Sequence, residues 1–237
     1  MSAADIELWF YARPNRGFSI EQRHARVMDG MSRFGAPLGF KGLNLPIAPD
    51  CGGELAAVYG IKLPVRGLKF IGDYTYRGEK YVYHDRAYMD EHIRYGFKIS
   101  NKKIDYSDVV KNQIPKVVEA FEPYRVRVDY DMYAFNYQGR SPEDNPIYFK
   151  LREDESINID GRNNIYTLYP AQFWDAELCE RALGYGPDEV VARLQGKVQD
   201  VRRLTNGVYL VLNDDPELTY EDFVEMNQRI KPMLGVV

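Results

Sequence analysis

The stretch KVQDVRRLTNGVYLVLNDDPELTYEDFVEMNQRIKPMLG, residues 197–235, is the part of the sequence that best indicates the fold. Two strand-like arms flank Asn206-Gly207, a pair that supplies the positive φ values of a type I′ hairpin turn. The second arm is apolar on both faces, so we expect an interior strand. A helix is predicted to follow over residues 220–231. A hairpin followed by a helix favours an α+β fold with a mainly antiparallel sheet.

The rest of the chain gives further periodic segments around this unit. Strands are predicted at 6–12, 67–78, 80–84, 125–138 and 165–169, and helices at 20–34, 107–124, 171–183 and 187–195. Ser19 and Gln22 form a capping box for the first helix, and Pro115 indicates a kink or a start inside the second. Residues 35–67, rich in Gly and Pro, are expected to be irregular. No linker or repeat interrupts the pattern, so one domain over residues 1–237 is the simplest interpretation.

Composition restricts the classes of partner. The chain has 31 basic and 35 acidic residues and a net charge of −4, which gives no general attraction to nucleic acid. No run of about 18 apolar residues predicts a membrane span. The opening MSAADIELWF lacks a signal-peptide pattern, so we expect a cytoplasmic protein with Cys51 and Cys179 reduced.

Catalytic motifs are missing from the sequence. It contains no phosphate-binding loop, no HExxH or GxSxG motif and no zinc-type cysteine spacing. His24 lies on the apolar stripe of the first predicted helix, where a buried structural histidine is the favoured interpretation. We therefore expect a protein that is not an enzyme and has no cofactor.

Six carboxylates crowd twelve residues at the start of the last helix, and we call them the acidic turn: Asp214, Asp215, Glu217, Glu221, Asp222 and Glu225. Helix structure explains part of the cluster, because Thr219 and Asp222 have capping-box spacing and acidic residues favour a helix N-terminus. Three interpretations remain open: turn and helix structure, a surface for a basic partner, or a metal site. The spacing matches no established ligand pattern such as the EF-hand loop.

The same C-terminal unit carries a family resemblance. GVYLVLNDDP followed by LTYEDFVEMNQRIKPMLG resembles the end of proteins in the bacterial immunity protein 52 family, and IELWFYARP with its following helix fits the same pattern. The resemblance implies a non-enzymatic cytoplasmic protein that binds a cognate toxin and blocks it. The toxin class that it suggests is a type VI secretion nuclease effector with a restriction-endonuclease fold.

A nuclease presents a basic cleft to phosphate, so acidic surfaces are the candidate contacts. Besides the acidic turn, two further surfaces qualify. They are the wet face of the strand at 125–138, with Asp129, Asp131 and Tyr133, and the acidic loop of Glu153, Asp154 and Glu155.

Two other functions compete with the immunity hypothesis. The first is a metal-dependent hydrolase that uses Asp214, Asp215 and Glu217. The second is a small-molecule or peptide-binding module on a tyrosine-rich sheet face, with a pocket lined by Tyr130, Tyr133 or Tyr137.

Overall fold

The described part of the chain is built on one antiparallel sheet. A computed structural model describes residues 6–15, 17–50, 56–76, 89–130 and 132–236. Its strands are β1 Ile6–Ala12, β2 Ala56–Tyr59, β3 Lys69–Thr75, β4 Glu91–Phe97, β5 Arg125–Tyr130, β6 Ala171–Asp175, β7 Asp200–Leu204 and β8 Gly207–Val211. They pair in the order β2-β3-β4-β1-β5-β6-β8-β7, and every pairing is antiparallel. The α+β prediction is confirmed.

Helices fill the connections between the strands. They are α1 Ile20–Ser32, α2 over residues 106–121, α3 Tyr133–Gln138, α4 Pro146–Glu153, α5 Ala176–Leu183, α6 Pro187–Leu194 and α7 Tyr220–Leu234. The helix α2 begins as Tyr106–Asp108, passes through a π-helical turn at Val109–Gln113 and continues as Ile114–Phe121. Of the helices in the described ranges, none combines the length and apolar character that crossing a bilayer requires.

The core lies on one face of the central strands. Ile6, Leu8 and Phe10 alternate into it from β1, and β5 places Val128 opposite Leu8 and Val126 opposite Phe10. All five side chains are fully buried. Full burial of one such side chain stabilises the fold by roughly 1.5–3 kcal/mol. The alternation visible in the sequence therefore selects the buried face of the sheet.

Strands β6 and β8 are buried on both faces. Every residue of β6 and of β8 is buried, which confirms the prediction that the second hairpin arm is an interior strand. In β1 and β5, by contrast, the side chains that point away from the core are half-exposed at Glu7, Trp9, Tyr11, Arg127 and Asp129. One sheet thus combines two fully covered strands, β6 and β8, with strands β1 and β5, whose outer face contacts solvent.

Predicted helix starts are confirmed where capping chemistry defined them. Ser19 and Gln22 form the reciprocal capping box of α1. Pro187 occupies the first turn of α6, and Pro115 lies at the start of the last α-helical part of α2. At these positions a side chain satisfies a free backbone N–H, or a proline replaces one, which favours a helix start.

The strand predicted over 125–138 is too long. β5 ends at Tyr130, and residues 133–138 form α3 instead. Met132 has a left-handed backbone with φ of 61°, which interrupts the extended conformation. Tyr133 and Tyr137, four residues apart, then both contact the ring of Phe223 from one side of α3. Alternation and helical spacing both fit this short segment, and tertiary packing selects the helix.

The strand predicted at 165–169 is wrong. Its backbone N–H groups donate to side chains rather than to a neighbouring strand. Tyr166 and Thr167 both donate to the Asp160 carboxylate, at 2.9 Å, and Leu168 donates to Asn227 at 2.8 Å. The segment is therefore an extended loop that buried polar side chains hold in place.

Other boundaries also differ from the predictions. The helix expected over 171–183 begins only at Ala176, because residues 171–175 form β6 and Asp175 caps the helix by accepting from the Leu178 N–H. β2 lies inside the region expected to be irregular, while β4 and α4 were not predicted. The strand predicted at 80–84 lies outside the described residues. The strand predicted beside it, at 67–78, is confirmed as β3.

The hairpin turn is shifted by one residue. Thr205 and Asn206 form the two-residue loop, and Gly207 pairs with Leu204 at the start of β8. Gly207 is needed for space rather than for a positive φ, because a Cβ at this position would lie 2.2 Å from the carbonyl oxygen of Trp174. The left-handed backbone falls on Thr205, with φ of 49°.

Candidate interaction surfaces

The acidic turn lies on the surface between β8 and α7, and some of its carboxylates have structural partners. Asp222 completes the capping box with Thr219. Asp215 accepts the N–H of Glu217 at 2.9 Å. Asp214 is half-exposed, and its carboxylate lies 2.5 Å from Nζ of Lys111 and 3.0 Å from the Ser107 hydroxyl. The hydrogen bond from Lys111 holds the pKa of Asp214 below its usual value.

The other three carboxylates of the acidic turn are exposed without such partners. Glu217, Glu221 and Glu225 form no ion pair with any residue in the described ranges. Although Glu225 and Arg229 have the favourable i,i+4 spacing, they do not form an ion pair with each other. Glu221 and Glu225 lie one helical turn apart on the same side of α7. The acidic turn therefore presents uncompensated negative charge to solvent.

The carboxylates of the acidic turn do not converge on a common point. Within the described parts of the chain, no group of three His, Cys, Asp or Glu side chains is arranged to hold a metal ion. The trio Asp214, Asp215 and Glu217 is held by Lys111 and by turn hydrogen bonds instead.

The predicted wet face of β5 is only half-exposed. Asp129 lies on the outer face of the sheet, directly across from Glu7 on β1. Its Oδ1 atom is buried and accepts no hydrogen bond. Burial raises the pKa of Asp129 to about 6, against the lowering effect of Arg127. Asp131 lies outside the described residues. Asp129 is thus a weaker candidate for a contact than alternation alone indicated.

The outer face contains a cluster of aromatic and charged side chains that was missed in the sequence. Trp9 lies between two guanidinium groups, with Arg94 4.7 Å and Arg127 5.6 Å from its ring centre. His92 lies 3.0 Å from the carboxylate of Asp73. Tryptophan and arginine are enriched in the residues that dominate protein interfaces. The alternation of β1 placed Trp9 on this face, but no local signal places the side chains of β4 beside it.

The tyrosines that were candidates for a ligand pocket pack against the core. Tyr133 lies on α3 rather than on a strand, and its hydroxyl donates to the Leu218 carbonyl at 2.9 Å. Its ring stacks on Tyr130, with 5.7 Å between the ring centres. Tyr137 packs edge-on against Phe223. These contacts attach α3 to α7, so Tyr133 and Tyr137 do not form a sheet-face pocket.

The acidic loop of Glu153, Asp154 and Glu155 is exposed, as expected. Glu153 ends α4, and Asp154 accepts hydrogen bonds from the N–H and hydroxyl of Ser156. The Ser156 hydrogen bonds lower the pKa of Asp154. The loop is a solvated surface with a local turn, and it contacts neither the acidic turn nor Asp129 through any described ion pair.

Comparison with known proteins gives a fold relationship only. No protein-family model matches the chain, and no curated protein matches it. Among solved structures, the fold is similar to that of the Pseudomonas aeruginosa T6SS protein PA0821, with a TM-score of 0.52. The similarity covers 96% of this chain and 76% of that chain at 13% sequence identity. At this identity the two proteins share a fold, and the resemblance to the immunity protein 52 family stays a prediction.

Proposed function

We propose that this protein is an immunity protein of the type VI secretion system (T6SS). It binds a cognate toxin, a secreted nuclease, in the cytoplasm and neutralises it by stoichiometric association. The fold that it shares with a T6SS protein of Pseudomonas aeruginosa supports the assignment to that system. The family resemblance of residues 207–235 supports the immunity role.

The acidic turn is the observation that carries this proposal. Glu217, Glu221 and Glu225 are exposed and form no ion pair with a described residue, so their charge is available to a partner. A nuclease must bind a polyanionic backbone and therefore has a basic cleft. Carboxylates presented to that cleft compete with phosphate and accelerate the encounter of the two proteins.

This mechanism requires no chemistry from the immunity protein. Association buries the acidic turn against the basic surface, and the nucleic acid loses access to the cleft. Because the attraction is between exposed charges, the association rate falls as salt concentration rises, with a screening length of about 8 Å at physiological ionic strength. A salt-dependent association rate with little change in dissociation is the expected signature.

The test begins with the native bacterium. Tagged protein is expressed with the secretion genes induced, and the co-purifying polypeptide is identified by mass. We expect a nuclease in a one-to-one complex. If no toxin is captured under these conditions, the immunity function is wrong.

A charge-reversal pair then tests the surface. Glu217→Lys with Glu225→Lys is compared by calorimetry with the control pair Glu143→Lys and Glu180→Lys, which changes net charge equally at other exposed sites. We expect the first pair to weaken toxin binding by roughly tenfold or more and the control pair by less than about threefold. Equal effects of the two pairs would show that the acidic turn is not the contact.

A further inference from the structure

A basic surface lies at one end of the sheet, where the loop before β3 meets the turn after β4. Five exposed cationic side chains belong to it, and we call them the basic patch: Arg66, Lys69, Lys98, Lys102 and Lys103. Asn101 holds the two segments together, because its side-chain amide donates to the Arg66 carbonyl at 3.0 Å. Lys69 at the start of β3 pairs with Gly96 near the end of β4. The five cations therefore share one surface.

The charge of the basic patch is uncompensated within the described part of the chain. None of its five side chains forms an ion pair with a described residue. Neither residues 61–72 nor residues 92–104 contain an aspartate or a glutamate. The next acid along the chain, Asp105, accepts the N–H of Asp108 as the cap of α2, and it offsets one charge at most. The whole chain has a net charge of −4, so the basic patch reverses its sign locally.

The basic patch and the acidic turn lie at the same end of the sheet. Phe97 at the end of β4 pairs with Ile6 at the start of β1, and Ile6 also pairs with Tyr130 at the end of β5. β8 ends at this side too, because Val211 pairs with the first residue of β6. Four strand spacings separate β4 from β8, so the two charged surfaces lie roughly 20 Å apart. This end of the sheet therefore presents a positive and a negative surface side by side.

An exposed apolar side chain lies between the two charged surfaces. Met132 follows β5, the strand midway between β4 and β8 in the sheet, and it is 50% exposed. Protein interfaces commonly have an apolar centre with polar and charged residues around it. Methionine also adapts its shape to the surface that it contacts. An apolar centre between two opposite charges is the pattern of a surface that binds another protein.

The arrangement disfavours an extended polyanion as the partner of the basic patch. A nucleic-acid duplex or an anionic membrane that lay along this end of the sheet would meet the acidic turn as well as the basic patch. Repulsion from the exposed carboxylates of Glu217, Glu221 and Glu225 would then oppose the attraction. The sheet end instead matches a compact partner that carries both signs of charge at the same separation.

A second copy of the chain carries both signs of charge at this separation. A two-fold axis through the middle of the sheet end, close to Met132, places the basic patch of one copy against the acidic turn of the other. The same operation places the acidic turn of the first copy against the basic patch of the second. Both contacts are attractive, and the two methionines meet near the axis.

We propose that the protein self-associates through this end of the sheet into a two-fold symmetric dimer, in which each basic patch contacts the acidic turn of the other copy. The dimer covers the acidic turn, which is the surface proposed above for toxin binding. For this consequence the inference rests on the proposed function. Toxin binding then requires the dimer to dissociate, so the two associations compete.

Sedimentation equilibrium of the full chain tests the dimer without the toxin. Because exposed charges drive the association, we expect the mass to rise from 27.5 kDa toward twice that value as the protein concentration increases from about 1 to about 500 µM in about 50 mM salt. In about 1 M salt, where the screening length is about 3 Å, the protein should remain monomeric. A mass that stays at 27.5 kDa throughout, or a dimer that salt does not weaken, would overturn the proposal.

A charge-swap experiment tests the pairing of the two surfaces. Lys102→Glu with Lys103→Glu places negative charge on both sides of each contact, so the dimer should weaken by about tenfold or more. Glu217→Lys with Glu225→Lys should weaken it similarly, because both sides are then positive. An equimolar mixture of the two double variants should associate within about threefold of the wild type, because one contact is reversed in sign and the other is unchanged.

A matched control distinguishes this pairing from a general effect of net charge. Lys116→Glu with Lys150→Glu makes the same change at exposed positions of α2 and α4, outside the basic patch. We expect the control to change the dissociation constant of the dimer by less than about threefold. Equal weakening by the control and by the basic-patch pair, or a mixture that does not recover association, would show that this end of the sheet is not the interface.

Titration with the captured toxin separates this inference from the proposed function. Conversion of the dimer into one-to-one complexes with the toxin would support both proposals. If the dimer forms as described but no toxin is captured, the immunity function is wrong and the self-association stands. If a toxin is captured by a protein that stays monomeric at every concentration, the self-association is overturned and the immunity function stands.

Discussion

The carboxylates inside the sheet differ from those of the acidic turn in their partners. Asp160 accepts from Arg125 at 3.1 Å, and both side chains are almost fully buried. Asp90 likewise accepts from the buried Arg162 of the loop before β6 at 2.7 Å, and Glu91 accepts from the buried Arg23 of α1 at 3.2 Å. Each interior carboxylate therefore has a guanidinium group that neutralises it.

The exposed carboxylates have no such requirement. Glu217 and Glu225 remain solvated, so their charge carries little cost and contributes little to stability. Carboxylates therefore fix loops to the sheet in one region and remain exposed to solvent in the other. Stability and affinity measurements can separate the two roles.

Asp160→Asn should have the largest effect on stability. Burial alone would raise the pKa of Asp160, but Arg125 and three hydrogen bonds from Thr167 and Tyr166 hold it below the usual value. Removing the charge leaves Arg125 buried without its counter-ion. We expect the free energy of unfolding to fall by about 3–5 kcal/mol, measured by urea denaturation at neutral pH.

The exposed Asp154→Asn is the control for this measurement and should change stability by no more than about 0.5 kcal/mol. Because the folded-state pKa of Asp160 is lowered, its contribution is present above the unfolded pKa and is lost as pH falls through the folded value. A loss of less than about 1 kcal/mol for Asp160→Asn would contradict its role in the interior.

Asp129→Asn tests the carboxylate on the outer face of the sheet, whose Oδ1 atom is buried without a hydrogen bond. Its pKa is raised from 3.8 to about 6 by burial, so the folded state keeps the proton to higher pH than the unfolded chain. The free energy of unfolding therefore falls as pH rises through this window, and asparagine removes that step. We expect the variant to gain roughly 1–2 kcal/mol over the wild type between pH 4 and pH 7.

The measurement is urea denaturation of both proteins at the two pH values. Asp90, whose pKa burial also raises to about 6, is present in both proteins and cancels in the comparison. An offset between variant and wild type that does not change with pH would show that Asp129 titrates normally.

The fold was predictable where a local chemical signal defined an element. The capping box of Ser19 and Gln22, the alternation of β1 and the turn composition near Gly207 act within a few residues, so their elements are found. β6 was predicted as the start of a helix because Pro170 precedes it, and with both faces buried the strand shows no alternation that would indicate it. α3 was predicted as strand because the alternation continues through it. Packing on Phe223, which is distant in sequence, selects the helix instead.

The candidate sites follow the same rule. The acidic turn is contiguous in sequence and was identified there, although the capture of Asp214 by Lys111 depends on α2. The outer face combines side chains from strands that are distant in sequence, such as Trp9 with Arg94. No local pattern contains that information.

Thr219→Ala tests the structural part of the acidic turn. The Thr219 hydroxyl accepts the N–H of Asp222 at 3.1 Å, and Asp222 bonds back to Thr219. Loss of this cap should lower the free energy of unfolding by about 1 kcal/mol, measured by thermal denaturation. Thr219→Ser keeps the hydroxyl and should remain close to the wild type. If the two variants were equally stable, the capping bond would contribute nothing.

Glu217→Gln with Glu225→Gln should have the smallest effect on stability. Neither carboxylate forms an ion pair with a described residue, so neutralising both should change the free energy of unfolding by less than about 0.5 kcal/mol. The same pair should slow association with the captured toxin by several-fold at low salt, and the difference should shrink at high salt because screening weakens exposed charges. The glutamate pair would then change the association rate without changing stability, whereas Asp160→Asn should change stability without changing the exposed surface. If the double variant lost stability and kept its association rate, both glutamates would have a structural role. The proposed contact with the toxin would then lie elsewhere.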